Sequence, residues 1–232
     1  MSSVGFVAGG TQAVVQALLE TLGPQGTLVV PTHTPENCDP AGWQHPPVPQ
    51  DWWPVIREQT PGFDPGRTPS RWMGVIAETV RTWPGAMRSN HPQVSCAAVG
   101  AQAAEIVVTH QLDDAHGERS PLGAVYRLDG KVLLLGCGYS SNTSLHLAEW
   151  RQDSPRRGAV GASVLAPNRT SRWITWVDVL PDEDDFEQLG VDFEATGAVR
   201  RGTVGNAAAC LMSQRALVDY AAGWMAAHRP TT

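Results

Sequence analysis

The strongest constraint on the fold is the alternation of short apolar runs with amphipathic runs along the chain. Residues 27–30, 94–99 and 132–135 have the length and the apolar content of buried strands. Between them lie segments with helical periodicity or with helix-start residues, such as Ser120 followed by Pro121. This alternation favours an α/β sandwich around a mixed central sheet.

Later segments add a C-terminal α+β portion. The predicted helices span residues 11–22, 73–83, 101–109, 121–128, 143–150, 186–193 and 213–228. The predicted strands span residues 27–30, 94–99, 132–135, 160–165 and 173–180. With 232 residues, of which 42% are hydrophobic, the chain can bury one good core. We therefore expect a single domain over residues 1–232.

Residues 33–68 interrupt the alternation. This segment is rich in Pro, Gly and Trp, lacks periodicity and is far longer than an ordinary connection. Its aromatic side chains would be costly to leave in water, and they are Trp43, Trp52, Trp53 and Phe63. We expect a packed lid or pocket wall here.

Composition argues against several classes of protein. The chain has no apolar run of about 18 residues, no signal-peptide pattern and no Lys/Arg cluster suited to a phosphate backbone, so neither a membrane nor a nucleic-acid partner is expected. Cys38, Cys96, Cys137 and Cys210 form no CxxC pair, and the histidines show no HxH or HExxH spacing. We expect free thiols, no metal and a cytoplasmic protein.

Acidic residues are concentrated in one segment, although the net charge is only −6. Between Arg172 and Arg200 there is no Lys or Arg, while eight of the 23 carboxylates fall there. The densest part contains Asp182, Asp184, Asp185 and Glu187. Two interpretations remain open, a solvated helix start and a subsite for a polycation.

The stretch SNTSLHLAEW, residues 141–150, puts His146 three residues before Glu149 on a predicted helix capped by Ser141 or Asn142. A carboxylate that accepts a hydrogen bond from one imidazole nitrogen leaves the other nitrogen as a base. The amide groups at the helix start could also stabilise an oxyanion. The spacing alone equally fits an ordinary pair on a helix surface.

Two glycine-flanked features are weaker. Residues 5–10 run into a helix start and could hold an anion, but they lack the GxGxxG pattern and the P-loop lysine, and any turn into a helix looks similar. Cys137 lies between glycines after a strand, where a Cys–His nucleophile would be displayed. A small buried residue is the alternative for Cys137.

Five segments, taken in order, resemble the aminoglycoside 3-N-acetyltransferases of the antibiotic N-acetyltransferase family. They are SSVGFVAGG, GPQGTLVVPTH, TWPGAMRSNHPQVSCAAVG, GERSPLGAVYRLDGKVLLLG and NTSLHLAEW. The most specific parts are RSxHPxxSxxAxG, from Arg88 to Gly100, and the pair GExSPL and NTxLHxAE. The resemblance covers nearly the whole chain.

The resemblance implies acetyl transfer from acetyl-CoA to the 3-amine of the deoxystreptamine ring, which inactivates the antibiotic. It gives His146 the place of the catalytic histidine and Glu149 that of its carboxylate partner. The implied acetyl-CoA contacts are Ser2, Ser3, Val4, Gly5, Val7, Gly9, Gly10, Met73, Ser120 and Thr143. An aminoglycoside carries several ammonium groups, which suits a subsite at Asp182, Asp184, Asp185 and Glu187. We expect a monomer or a homodimer.

One departure from the family keeps alternatives open. Family members begin with a helix and a strand ahead of the SSxG loop, whereas this sequence starts at Met1-Ser2-Ser3. Either the start of the sequence is misassigned or truncated, or the protein lacks a strand beside its own cofactor loop. We expect that difference to affect fold stability and CoA affinity. The alternatives are an acetyltransferase of the same scaffold that acts on another amine, and an inactive binder of cationic sugars.

Overall fold

A computed structural model describes residues 3–44 and 46–229. Its helices are α1 Gly10–Leu22, α2 Trp53–Gln59, α3 Gly74–Arg81, α4 Ala103–Val108, α5 Pro121–Arg127, α6 His146–Trp150, α7 Phe186–Glu194 and α8 Gln214–His228. Its strands are β1 Thr27–Pro31, β2 Met87–Arg88, β3 Cys96–Gly100, β4 Lys131–Leu135, β5 Arg157–Leu165, β6 Ser171–Val179, β7 Arg200–Val204 and β8 Ala207–Ser213. No helix within the described residues is long and apolar enough to cross a bilayer.

The α/β class is confirmed, but the strands are not arranged in one mixed sheet. They pair antiparallel in three small sheets, with strand orders β1-β3-β2, β4-β8-β7 and β5-β6. The prediction of one mixed sheet was wrong because the order of elements along the chain does not specify which strands become neighbours. Strands β2, β7 and β8 were not predicted, and β7 is exposed along its whole length, so it has no buried face to produce a pattern.

The largest core surrounds the C-terminal helices. Leu145, Leu147, Phe186, Leu189 and Leu217 are completely buried in it. Helix α6 has five residues, too few for its own hydrogen bonds to hold it. Its position is therefore fixed by the apolar side chains at and beside its start, and this burial also fixes the side chains on its remaining face.

Residues 33–68 are packed, although they contain little regular structure. Short 3-10 turns at Pro35–Asn37, Pro40–Gly42 and Gln50–Trp52 precede α2. The buried Asn37 side chain exchanges hydrogen bonds of 2.8 and 2.9 Å with the backbone of Ser163 on β5, and Phe63 is 4% exposed. The expectation of packed aromatic residues holds for Phe63 but not for Trp52, which is 56% exposed.

The RSxHPxxS motif joins β1, β2 and β3. Arg88 Nε donates to Thr32 Oγ1 at 3.1 Å and to Ser95 Oγ at 2.9 Å, and its Nη2 donates to the Thr32 carbonyl at 2.6 Å. The His91 Nδ1 accepts the backbone N–H groups of residues 93 and 94 at 3.2 and 3.1 Å. These contacts give the motif a structural role in this half of the molecule.

Gly190 on α7 should not tolerate a side chain, because a Cβ there would collide with the ring of Tyr139. We expect Gly190→Ala to lower the free energy of unfolding by about 1–3 kcal/mol. Gly223 on α8 is the matched control, since its Cβ position has no neighbour within 4 Å. Gly223→Ala should raise stability by roughly 0.5–1 kcal/mol through helix propensity. Urea unfolding followed by circular dichroism measures both, and equal values would contradict the assigned packing.

Buried histidines should make stability depend on pH, and His91 and His110 are two of them. Burial lowers the pKa of His91 to about 3 and that of His110 to about 4, from an ordinary 6.5. The unfolded chain takes up their protons below pH 6.5 while the folded chain does not, so this stability is complete above pH 6.5 and is lost as the pH falls towards 4. Each residue should contribute a slope of about 1.4 kcal/mol per pH unit in that window.

The measurement is urea unfolding of the wild type and of His91→Asn at a series of pH values. An asparagine oxygen can accept the same two backbone N–H groups but takes up no proton. In this variant we expect the free energy of unfolding to depend less steeply on pH in the acid range, by the equivalent of about one bound proton. A slope identical to that of the wild type would show that His91 does not resist protonation.

Candidate active site

The proposed base and its partner form a buried pair. Asn142 Oδ1 accepts the Ser144 N–H at 3.2 Å and so caps a 3-10 turn, Thr143–Leu145, that leads directly into α6. On the first turn of α6, His146 Nδ1 lies 2.6 Å from Glu149 Oε2. His146 is 8% exposed and Glu149 3% exposed. The ordinary surface pair is thereby excluded as a description of this motif.

The partners of Glu149 define the tautomer of His146. Glu149 Oε1 accepts a hydrogen bond from Arg229 Nη1 at 2.6 Å and another from the Asp182 N–H at 3.0 Å. A carboxylate bound to a guanidinium is ionised and can only accept hydrogen bonds. The Nδ1 of His146 must therefore carry the proton, which leaves Nε2 with the free lone pair of a base.

The imidazole of His146 is held between two other rings. The ring of His116 stacks on it at a centroid distance of 4.7 Å and an angle of 17°, and Phe186 lies against it at 5.0 Å. Trp150 contacts His116 edge-on at 5.2 Å. Burial lowers the pKa of His116 well below its usual value, and the neighbouring His146 lowers it further, so His116 is a neutral packing partner.

The glycine-rich loop lies near the end of β4 and the β7–β8 turn. Ser3 faces Gly136, and the Val4 carbonyl accepts the Asn206 N–H at 3.0 Å. Gly5 and Gly9 have φ values of 87° and 84°, in the left-handed region that glycine enters without strain. Gly9 occupies the N-cap of α1 without a side-chain cap, and the N–H of Gly10, the first residue of the helix, donates to the Val7 carbonyl at 2.9 Å. Ser2 lies outside the described residues.

The other implied acetyl-CoA residues have identifiable local roles. Ser120 is buried and caps α5, where its Oγ donates to the Gly117 carbonyl at 2.7 Å and accepts the Leu122 N–H at 3.2 Å. Thr143 begins the 3-10 turn before His146 and lines a cleft between β1 and β4. Met73 occupies the N-cap of α3, which packs on α1.

The acidic segment contacts Glu149 directly through the Asp182 N–H and indirectly through Arg229. Asp185 accepts two hydrogen bonds from Arg229, at 2.8 and 2.6 Å, and the Arg229 Nη2 also donates to the Asp182 carbonyl at 2.7 Å. Glu187 accepts the Ser140 N–H at 3.1 Å. Asp184 is exposed, and its N–H donates to Asp182 Oδ1 at 3.2 Å. Part of the segment's charge is therefore already paired.

Cys137 does not match its predicted alternative of a small buried residue. Cys137 is exposed, just beyond the end of β4 and between two glycines. Among the described residues its sulfur makes no hydrogen bond to His146, whose Nδ1 is bound to Glu149. A Cys–His nucleophile pair is not formed.

Sequence reasoning missed His116 and Arg229. The first lies in the GERSPL region but outside the motif letters, and the second comes near the end of the chain. Neither has a local pattern that would identify it, since both reach His146 and Glu149 through tertiary packing. His33 was missed for the same reason, and its ring lies 5.7 Å from that of His116.

Known proteins share this sequence over nearly its full length. The sequence pattern of the family described as aminoglycoside 3-N-acetyltransferase matches residues 1–226. The SPbeta prophage-derived aminoglycoside N(3')-acetyltransferase-like protein YokD of Bacillus subtilis is 39% identical, over 97% of this chain and 82% of its own. Aminoglycoside N(3)-acetyltransferase III of Pseudomonas aeruginosa is 35% identical, over 97% of this chain and 84% of its own.

Solved structures agree with this match. The crystal structure of YokD has a TM-score of 0.92 at 38% identity and covers 97% of this chain and 88% of its own. The structure of AAC-IIIb in a binary complex with CoASH has a TM-score of 0.84 at 31% identity, over 100% of this chain and 89% of its own. The family match spans the residues of α6, and the chain belongs to the aminoglycoside 3-N-acetyltransferase family.

Proposed function

We propose that this protein transfers the acetyl group of acetyl-CoA directly to the 3-amino group of the 2-deoxystreptamine ring of an aminoglycoside. His146 is the general base, and Glu149 orients it. The observation that carries the proposal is the buried 2.6 Å hydrogen bond between His146 Nδ1 and Glu149 Oε2. Membership of the family and the CoASH complex of a relative support acetyl-CoA as the donor.

The reaction needs a base because an ammonium group has no lone pair with which to attack. The neutral amine attacks the thioester carbonyl while His146 Nε2 removes a proton from its nitrogen. The tetrahedral intermediate then expels the CoA thiolate. The imidazolium gives its proton to this thiolate, which leaves as CoA, and His146 is neutral again. Glu149 stabilises that imidazolium and fixes the ring, as a carboxylate does in other His-dependent acyl transfers. Binding both substrates supplies the remaining acceleration through proximity.

The glycine-rich loop is proposed to bind acetyl-CoA. Residues 3–10 lead into α1, a helix of 13 residues whose first turn has no side-chain cap. Uncapped amide groups and the positive end of the helix dipole suit the pyrophosphate of CoA. The left-handed glycines allow the backbone to approach such a ligand closely.

Removing the base should abolish most of the chemistry. We expect His146→Ala to lower kcat by roughly 10²- to 10⁴-fold, the usual loss for a general base. Glu149→Gln should also be damaging, because the amide can stabilise the wrong tautomer and supports no imidazolium. The KM for acetyl-CoA should hardly change in either variant. Thiol release from acetyl-CoA with a panel of aminoglycosides provides the measurement.

Cys137→Ala is the matched control for the mechanism. Direct attack predicts substantial activity in this variant and no acetylated Cys137 by mass spectrometry after incubation with acetyl-CoA. A near wild-type kcat in His146→Ala, or a trapped acetyl-Cys137 that transfers its acetyl group, would contradict the proposed chemistry. Turnover with another amine but with no aminoglycoside would assign the scaffold to a different substrate.

We also propose that exposed carboxylates of the acidic segment attract the cationic substrate. Asp182 and Asp184 are exposed, whereas Asp185 is paired with Arg229. Asp182 also lines a cavity of about 430 Å³ with Glu149 and residues 152–156. Arg156 and Arg229 line the cavity as well, and Arg229 is already paired with Glu149, so the carboxylates that suit a polycation here are Asp153 and Asp182.

Neutralising Asp182 and Asp184 together to Asn should raise the aminoglycoside KM several-fold at low salt and leave the KM for acetyl-CoA unchanged. Salt should reduce the difference, because it screens exposed charges. Asp129→Asn, which removes an exposed carboxylate on a different loop, is the control and should leave both KM values unchanged. Equal aminoglycoside KM values in the double variant and the wild type would contradict a role in substrate binding and would favour the alternative, a solvated helix start.

A further inference from the structure

Arg229 connects three parts of the chain at the candidate site. It follows α8 directly, and its guanidinium binds Glu149 on α6 at 2.6 Å. The same group binds Asp185 at 2.8 and 2.6 Å and the Asp182 carbonyl at 2.7 Å, both just before α7. Arg229 lies beyond residues 1–226, the part of the chain that matches the family.

The planar fork of arginine suits this position. One side of the fork binds Asp185 in the bidentate geometry that fixes both groups, and this leaves Nη1 aimed at Glu149. The guanidinium also lies over the ring of Phe186, at 5.9 Å from its centroid. Since Phe186 packs against His146 as well, one aromatic ring supports both the base and the cation.

We propose that Arg229 is a positioning residue for acetyl transfer, which holds the Glu149 carboxylate in the orientation that aligns His146 and places a positive charge that disfavours imidazolium before the amine attacks. The inference rests on the proposed role of His146 as the base. Without the guanidinium, Glu149 would face His146 as an uncompensated buried carboxylate. Such a carboxylate would stabilise imidazolium, and a protonated His146 cannot accept the proton of the amine.

The effect of Arg229 on the protonation of His146 can be separated from that of the other groups around the ring. His116, from the loop before α5, stacks on His146, and His33, from the loop after β1, lies against His116 in turn. Glu149 on the same helix binds His146, Arg229 binds Glu149, and Asp185 and the Asp182 carbonyl bind Arg229. Burial lowers the pKa of His33 to about 3, and that of His116 falls well below its usual value, so both rings stay neutral. Burial alone would lower the pKa of Arg229, but hydrogen bonds to Asp185 and Glu149 raise it, so Arg229 stays charged.

Two substitutions on this chain of contacts should have opposite effects on pH dependence. Arg229→Gln removes the positive charge, so imidazolium becomes easier to form and the acid limb of the kcat profile should move to higher pH, by about one unit. Asp185→Asn leaves Arg229 charged but less compensated, so the limb should move to lower pH. A merely structural tether would not produce shifts of opposite sign.

The experiment measures kcat and KM against pH for both variants, with one aminoglycoside and acetyl-CoA. We expect kcat of Arg229→Gln at its optimum to fall about ten-fold, less than the full loss of a general base, with the KM for acetyl-CoA unchanged. Arg229→Lys keeps the charge but not the fork, so it should retain the wild-type position of the acid limb with a lower kcat. Arg215→Gln is the matched control on α8, because Arg215 contacts Asp129 and the end of α5 rather than Glu149.

Thermal unfolding of each variant separates misfolding from mispositioning. If Arg229→Gln does not fold, Asp185→Asn and Arg229→Lys still carry the test through their predicted limb positions. An acid limb that stays at the wild-type pH in both Arg229→Gln and Asp185→Asn, or a kcat of Arg229→Gln within two-fold of the wild type, would overturn the inference while His146→Ala remains inactive. An active His146→Ala would overturn the base role and this inference together.

Discussion

The candidate site depends on one buried carboxylate. Glu149 is 3% exposed, and a carboxylate at such a depth would be strongly unfavourable without partners. Its two oxygens bind His146, Arg229 and the Asp182 backbone, so three separate parts of the chain are held by one carboxylate. Helices α6 and α8 and the segment before α7 therefore cannot shift independently. The orientation of the imidazole follows from this network rather than from α6 itself.

The fold provides this network by burying a very short helix. The apolar residues at the start of α6 enter the core formed by α7 and α8, and this leaves the face with His146 and Glu149 turned towards His116 and the acidic segment. A longer helix on the surface would present the same HxxE spacing to water, where the two groups would interact weakly. Burial strengthens the hydrogen bond between the two groups, and this supports the proposed role of His146 as the base.

Part of the charge in the acidic segment is used within the structure, and part remains exposed. Asp185 compensates Arg229, which in turn compensates Glu149, so opposite charges alternate from the surface to the buried carboxylate. Asp182 contributes its backbone to the same network, while its side chain and that of Asp184 remain exposed. A cluster of carboxylates near a cationic substrate can thus be partly structural, and each member has to be assigned by its own contacts.

The sequence by itself determined the α/β class, most helices and a spacing that lets His146 reach Glu149, because each depends on local periodicity or on spacing within one helical turn. It narrowed the cap to Ser141 or Asn142, and the structure places it at Asn142. The ordered motifs likewise identified the family. Only the tertiary structure decided the three separate sheets, the burial of the pair, the stacking of His116 and the contact of Arg229. Arg229 and Glu149 lie far apart in the chain, and no local pattern records which distant side chain will neutralise a buried charge.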